Sequence, residues 1–336
     1  MSNKKYTIKD IALEAGVSIA TVSKVLNNKD KNISDNTRNR ILDIVKKNNY
    51  IPNRVASSLV TKNTKTLGLI IPDITNPFFP AIVRGAEDIA NLMGYSLILC
   101  NTDNSIEREK KAIEMLTEKM VDGIILDCSE SSTYYKSFFR TDTPVILVDS
   151  DSKITGENIV GKITIDNYKG AYEGVTYLIN KGYKNIAMLS GQTNRSTGLH
   201  RLEGYKDALA DNFIHLTDDY IVEGTFDTDS GKVGVQKLLE RNIPIEAIFC
   251  GNDMIAIGAM KKLKEFGYKI PEQIAVMGFD GIHFGSLYEP SLTTIKQPYY
   301  DMGYKAGEIL INIVKNKNRE FVEVLLEFEL HIGDSA

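Results

Sequence analysis

From Leu67 onward, short apolar runs alternate with stretches of helical spacing: LGLII, YSLILC, GIILD, PVILV, NIAML, AIFCG and IAVMGFD. Runs this short and this apolar suit strands buried on both faces, hence parallel sheets covered by helices. The βα spacing continues throughout, and a fresh strand–helix series begins near KITIDNYKG. The pattern predicts an α/β body of two doubly wound lobes with a cleft between them. At 336 residues the chain has room for a further unit.

That unit is predicted in residues 1–50, which read as three helices. Ile8, Ile11, Ala12 and Ala15 repeat at helical spacing until Gly16. Ser18 is placed to cap a second helix and Ser34 a third, which buries Ile41, Ile44 and Val45. In the second helix Val22, Val25 and Leu26 share one face, while Ala20, Ser23, Lys24 and Asn27 occupy the other. Helix, tight turn and helix in this order form a helix-turn-helix, whose second helix fits a DNA major groove. In YIPNRVASSLVTKNTKT, Pro52 discourages helix at Ile51, and Asn53 is placed to cap a short helix from about Arg54 to Val60. The polar TKNTKT after it has the texture of a linker.

Charge separates the same two parts. Residues 1–65 hold 13 Lys and Arg against 5 Asp and Glu, a net +8, so the remainder carries −12 of the total −4. A basic head on an acidic body suggests contact with a polyanion at one end. Cys100, Cys128 and Cys250 sit in apolar runs without C-x-x-C spacing and read as reduced, buried thiols. The start MSNKKYTIKD has no apolar core of a signal peptide, and no run approaches a membrane span, so a cytoplasmic protein is expected.

Catalytic signatures are missing. The chain has no dinucleotide or phosphate-binding glycine loop and no G-x-S-x-G elbow, and GQTNRSTG lacks the lysine of a phosphate loop. His200, His215, His283 and His331 are scattered, with none at metal-ligand spacing. No catalytic residue, metal site or cofactor is expected, and the chain does not read as an enzyme.

The segments TIKDIALEAGVSIATVSKVLNN, YIPNRVASSL, LGLIIPDITNPFF, VDGIIL, IDNYKGAYEG, HRLEGYKDAL, GNDMIAIGAM, VMGFDGI and PSLTTIKQP, in this order, resemble the lactose-repressor (LacI/GalR) family of bacterial transcription regulators. The resemblance covers essentially the whole chain. It implies an N-terminal all-helical helix-turn-helix head (1–50), a hinge helix and linker (51–66) and a two-lobed periplasmic-binding-protein-like body (67–336). The helix in YYDMGYKAGEILINIVK would return to the first lobe, giving lobes of about 67–164 with 298–325 and 165–297 with 326–336. Such regulators bind near-palindromic double-stranded DNA operators as homodimers. No leucine-heptad tail follows, which favours a dimer over a tetramer, and Gly333 replaces the arginine of the family's common Arg-x-Ser ending.

The resemblance also nominates residues. Ile19, Ala20 and Lys24 match positions that meet base edges. Lys24 stands where arginine is commoner, which keeps the charge but loses the two-pronged grip on guanine; the alternative is a merely solvated helix face. Thr21, Ser23, Asn27 and Arg38 match phosphate-positioning sites. Leu59 looks like the hinge leucine that wedges a base step in the minor groove, against a plain core role. Asn53 would cap the hinge and touch DNA, and Ser57 replaces a frequent arginine.

In the body, Phe78 and Phe79 would line the cleft. Arg201 would grip ligand hydroxyls or carboxylates through its fork of donors, and Asn252 and Asp280 would flank it at strand ends. For GNDM the other reading is helix capping, favoured more for Asp253 than for Asn252. Arg195 and Thr197 resemble ligand contacts of the purine-responsive branch. Asp149 and Asp166 either contribute or only end strands, and Phe226 either stacks on a ring or joins the core. The function implied is a ligand-controlled transcriptional regulator, a repressor of carbohydrate-related genes answering to a sugar. A purine or nucleoside is the alternative effector, and a sugar-binding transport receptor the alternative class. The basic head and missing signal peptide oppose that class.

Overall fold

The computed structural model describes residues 6–27, 30–51, 63–128, 142–150, 156 and 158–336. The expected hinge helix, with Asn53, Ser57 and Leu59, lies outside these residues. The chain divides into two compact units, Met1–Thr64 and Lys65–Ala336.

The first unit contains α1 (Ile8–Glu14), α2 (Ile19–Leu26) and α3 (Asp35–Lys47). Each helix opens on a hydroxyl: Thr7, Ser18 and Ser34 accept from the backbone N–H of Asp10, Thr21 and Thr37. These caps satisfy donors that the first turn leaves orphaned. Gly16 takes φ +61 in the turn between α1 and α2, a conformation that a Cβ penalises. Ile11, Ala12, Ala15, Val22, Val25, Ile41 and Ile44 form the core. Val45, expected inside, is half-buried, because a core this small seats Ile44 and leaves the next side chain on its rim.

The second unit begins with β1 (Thr66–Ile71), α4 (Phe78–Leu92), β2 (Ser96–Asn101), α5 (Ile106–Glu118), β3 (Gly123–Leu126), β4 (Val145–Val148) and β5 (Ile159–Ile165). It continues through α6 (Asn167–Asn180), β6 (Ile186–Ser190), α7 (Ser196–Asp211), β7 (Ile221–Glu223), α8 (Thr228–Glu240), β8 (Ala247–Cys250), α9 (Asp253–Glu265), β9 (Ala275–Asp280) and β10 (Thr293–Lys296). It ends with α10 (Tyr299–Asn316), β11 (Val322–Leu326) and β12 (Glu329–His331).

The strands form two sheets of the same plan. The first runs β11-β5-β4-β3-β1-β2 and is parallel throughout. The second runs β12-β10-β9-β8-β6-β7 and is parallel except for β12. In each, strand order reverses beside the opening strand, between β1 and β3 and between β6 and β8. A doubly wound sheet opens a crevice at the carboxyl ends of its strands at such a reversal. The chain enters the second sheet after β5, returns through α10 and β11 to the first, and closes with β12 on the second.

The return helix packs closely on α4. A Cβ at Gly303 would lie 1.9 Å from the Ile82 carbonyl oxygen, and one at Gly85 would lie 2.0 Å from that of Tyr300. Only glycine permits backbones this near.

One expectation fails at β2. Two-sided burial was predicted for YSLILC, yet β2 is the edge strand and is exposed or half-exposed along its length, with Leu99 at 40 %. Cys100 on this strand is therefore half-buried rather than buried. Cys128 and Cys250 are buried, and all three are free thiols. Among the described residues no helix is long and apolar enough to cross a membrane.

Candidate functional site

A cleft of about 220 Å³ lies at the carboxyl ends of the two sheets. Phe78, Phe79, Asp149, Arg195, Thr197, Arg201, Phe226, Asn252 and Asp280 all line it. Phe78 and Phe79 open α4 and meet edge to face at 5.1 Å between ring centroids, and Phe78 meets Tyr299 the same way at 5.9 Å. Phe226 is part-exposed to the cleft and also packs on the core of the second sheet, so its two readings coexist.

Arg201 is the centre of the polar wall. Its Nε donates to Asn167 Oδ1 at 2.9 Å, and its Nη1 donates to the Gly251 carbonyl at 2.7 Å and to Asp280 Oδ1 at 3.2 Å. The guanidinium carbon lies 3.8 Å from the centroid of the Phe279 ring, a cation–π contact that fixes the fork's plane. Asp280 also accepts from Gln297 Nε2 at 2.8 Å. Its backbone holds φ +110, unusual for any residue but glycine, where the chain turns sharply off β9. Burial raises the Asp280 carboxyl to about 6, against the opposing pull of Arg201 and Gln297.

The capping alternative falls the other way from expectation. Asn252, not Asp253, caps α9: its Oδ1 accepts from the Ile255 N–H at 2.9 Å, and its amide donates to the Phe226 carbonyl at 3.3 Å. Asp253 is buried behind it, where it accepts from the Thr294 hydroxyl at 2.6 Å and the Ile282 N–H at 2.7 Å. It thereby secures the loop after Asp280. Burial pushes its carboxyl well above the usual range, and neighbouring Asp280 adds to this. Asp166 caps α6 through the Lys169 N–H at 2.8 Å and does not line the cleft, so its strand-ending role holds.

Several lining residues escaped the sequence reading: Asp73, Asn76, Asp103, Asn104, Gln192, Thr225 and Asp227. Asp73 and Asn76 stand in PDITNPFF just past β1, where the reversal rule points. Asp127, outside the lining, was also missed. It ends the GIILD run, and its buried ion pair with Arg195, 2.6 Å from Nη2 to Oδ1, joins residues far apart in sequence.

In the head, α2 and its C-cap expose Ile19, Ala20, Lys24 and Asn27, while Thr21 and Ser23 are half-buried. The Thr21 hydroxyl lies 2.9 Å from that of Ser18, and the Asn27 amide donates to the Ser23 carbonyl at 2.8 Å. Arg38 is exposed but ion-paired with Asp30 at 2.9 Å, a partner the sequence reading did not foresee.

The comparisons with known proteins agree with this architecture. Residues 7–53 match bacterial regulatory proteins of the lacI family, and residues 64–327 match the periplasmic binding proteins and sugar-binding domain of the LacI family. The HTH-type transcriptional regulator RegA of Clostridium acetobutylicum is 41% identical over 98% of this chain and 99% of its own length. The HTH-type transcriptional repressor PurR of Vibrio atlanticus is 36% identical over 94% of this chain and 93% of its own. The crystal structure of the lac repressor dimer bound to operator and the anti-inducer ONPF superposes with TM-score 0.86 at 27% identity, covering 99% of both chains. The chain belongs to the LacI family of bacterial transcriptional regulators, which bind operator DNA as dimers and answer to small-molecule effectors.

Proposed function

We propose that the cleft takes an uncharged, polyhydroxylated effector, a sugar, and that its occupancy sets the affinity of the head for a near-palindromic operator. The observation that carries this reading is the charge of the cleft. Among the described residues its two guanidinium groups already face carboxylates, Arg195 on Asp127 and Arg201 on Asp280. Asp73, Asp103, Asp149 and Asp227 line the same cleft. An anionic ligand would meet repulsion here, whereas hydroxyls find acceptors in Asp280 and Asp149 and donors in Arg201 and Asn252. Phe226 offers an apolar face to the ring of a sugar.

The purine alternative leans on Arg195 and Thr197. Against it, Arg195 commits donors to Asp127, Asn104 and the Cys128 carbonyl. On the DNA side, Ile19, Ala20 and Lys24 would meet base edges, and Thr21, Ser23, Asn27 and Arg38 would meet phosphates, with Arg38 exchanging Asp30 for a phosphate.

A thermal-shift screen of D-ribose, D-glucose, cellobiose, their phosphates and hypoxanthine tests the effector class. A neutral sugar at saturating concentration raises the body's melting temperature, because a ligand bound to the folded state stabilises it by mass action. Stabilisation by sugar phosphates or hypoxanthine alone would overturn the reading.

The titration of Asp280 adds a second expectation. The ionised carboxylate accepts a ligand hydroxyl more strongly than the neutral acid does, so affinity is highest near neutral pH and weakens as pH falls through about 6. Titration calorimetry from acid to neutral pH reads this directly, and a flat profile would remove Asp280 as an acceptor.

A further inference from the structure

Arg195 stands at the start of α7, among the elements of the second sheet, yet its side chain reaches the loops of the first. Nη2 donates to Asp127 Oδ1 at 2.6 Å and to the Cys128 carbonyl at 3.1 Å, and Nη1 donates to Asn104 Oδ1 at 3.0 Å. Asn104 follows β2, and Asp127 and Cys128 follow β3, so one guanidinium ties the second lobe to two loops of the first.

The ion pair at the centre of the tie is shielded from water: the Arg195 side chain is 7% exposed and that of Asp127 0%. Asp127 Oδ2 is buried with no hydrogen-bond partner among the described residues. Burial pushes the Asp127 carboxyl well above the usual range, Arg195 pulls against this, and the carboxylates of Asp149 and of Glu109, itself buried in the first turn of α5, add to the rise. Three acidic groups of the first lobe thus bear on the charge that Arg195 meets. Withdrawing the guanidinium would leave a buried carboxylate uncompensated, which is far costlier than loosening an exposed pair.

We propose that Asp127 is a positioning residue for effector binding: it holds Arg195 across the cleft, tethers the second lobe to the first, and keeps that guanidinium from the cleft's contents. Every partner in the tie is an atom of the chain, so the tether needs no effector. The effector then binds between lobes already drawn together, with Arg195 fixed at the margin. This deepens the reading of the cleft as an effector site and rests on it for the consequence, though not for the tether itself.

The lobe-to-lobe distance of the free full-length chain is the direct test. Spin labels at Glu118→Cys on α5 and Lys206→Cys on α7, both exposed positions, are read by pulsed EPR in a Cys100→Ser background diluted with unlabelled chain. Cys128 and Cys250 are buried from the label. The parent is expected to give one narrow distribution. Asp127→Asn shifts it to longer distance and broadens it, Asp127→Glu restores part of the change, and Asn104→Ala at an exposed residue broadens it less.

A merely structural role for Asp127 would lower the melting temperature and leave the distribution where it was, and that result overturns the proposal. Should Asp127→Asn fail to fold, an unchanged distribution in Asn104→Ala overturns it instead. No effector or DNA is added, so failure here is separate from failure of the sugar reading, which the thermal-shift screen decides.

Discussion

Replacing Arg201 by methionine lowers the stability of the body by about 3–5 kcal/mol, because it strands the Asp280 carboxylate in a site only 4% exposed. For a unit of this size that is about 10 °C in melting temperature. Methionine keeps much of the packing on Phe279, so the loss reports chiefly the missing charge and the bonds to Asn167, Gly251 and Asp280. The pH dependence carries a sign. Asp280 is already raised to about 6 by burial with Arg201 present, and removing Arg201 raises it further. A carboxyl raised in the folded state favours folding at low pH and loses that contribution as pH rises through its folded value. The deficit of the variant is therefore largest near neutral pH and shrinks in mild acid. Scanning calorimetry at both conditions checks this; an equal deficit at each would mean that packing, not charge, is lost. Effector-induced stabilisation disappears in the same variant, since the fork that orients hydroxyls is gone.

Ile41→Ala produces the second large effect, in the other unit. Ile41 is fully buried in a core of seven residues. Truncating it costs about 2–5 kcal/mol, much of what a unit of some sixty residues has in reserve. The expected result is an unfolded head on an intact body. Calorimetry then shows the head's transition lost or shifted far down, with the body's transition and its effector shift unchanged. Operator binding falls to the non-specific level at growth temperature. An operator affinity within a few fold of the parent would mean that α2 does not depend on this core for its placement.

The fold was legible where local chemistry decides it. Ser18, Ser34 and Gly16 announce caps and a turn whose reasons lie within a few residues, and the apolar runs mark buried strands without help from distant sequence. Edges are less visible: YSLILC is as apolar as its neighbours, and only the strand order makes β2 an edge. Short strands such as β7 carry too few residues to show a period.

At the site, Asn252 and Asp280 could be named because the resemblance to the family nominates them, at strand ends where a cleft rim is expected. Asp127 could not, because the Arg195 that gives it a role is 68 positions away and arrives only when the two sheets meet. Asn252 shows a subtler miss. Cap and cleft wall were weighed as alternatives, and one amide side chain serves as both.

The central claim is that one chain couples a DNA-reading head to a cleft that answers a small molecule. It is tested most directly by an anisotropy titration of the full chain on a near-palindromic operator and on a scrambled duplex, at moderate salt, without and with a saturating sugar from the thermal-shift screen. The account predicts strong preference for the operator and a sugar-dependent change in its affinity of about 5–150-fold, with Arg201→Met keeping the preference and losing the change. Equal affinity for both duplexes, or operator affinity indifferent to a sugar shown to occupy the cleft, would contradict it.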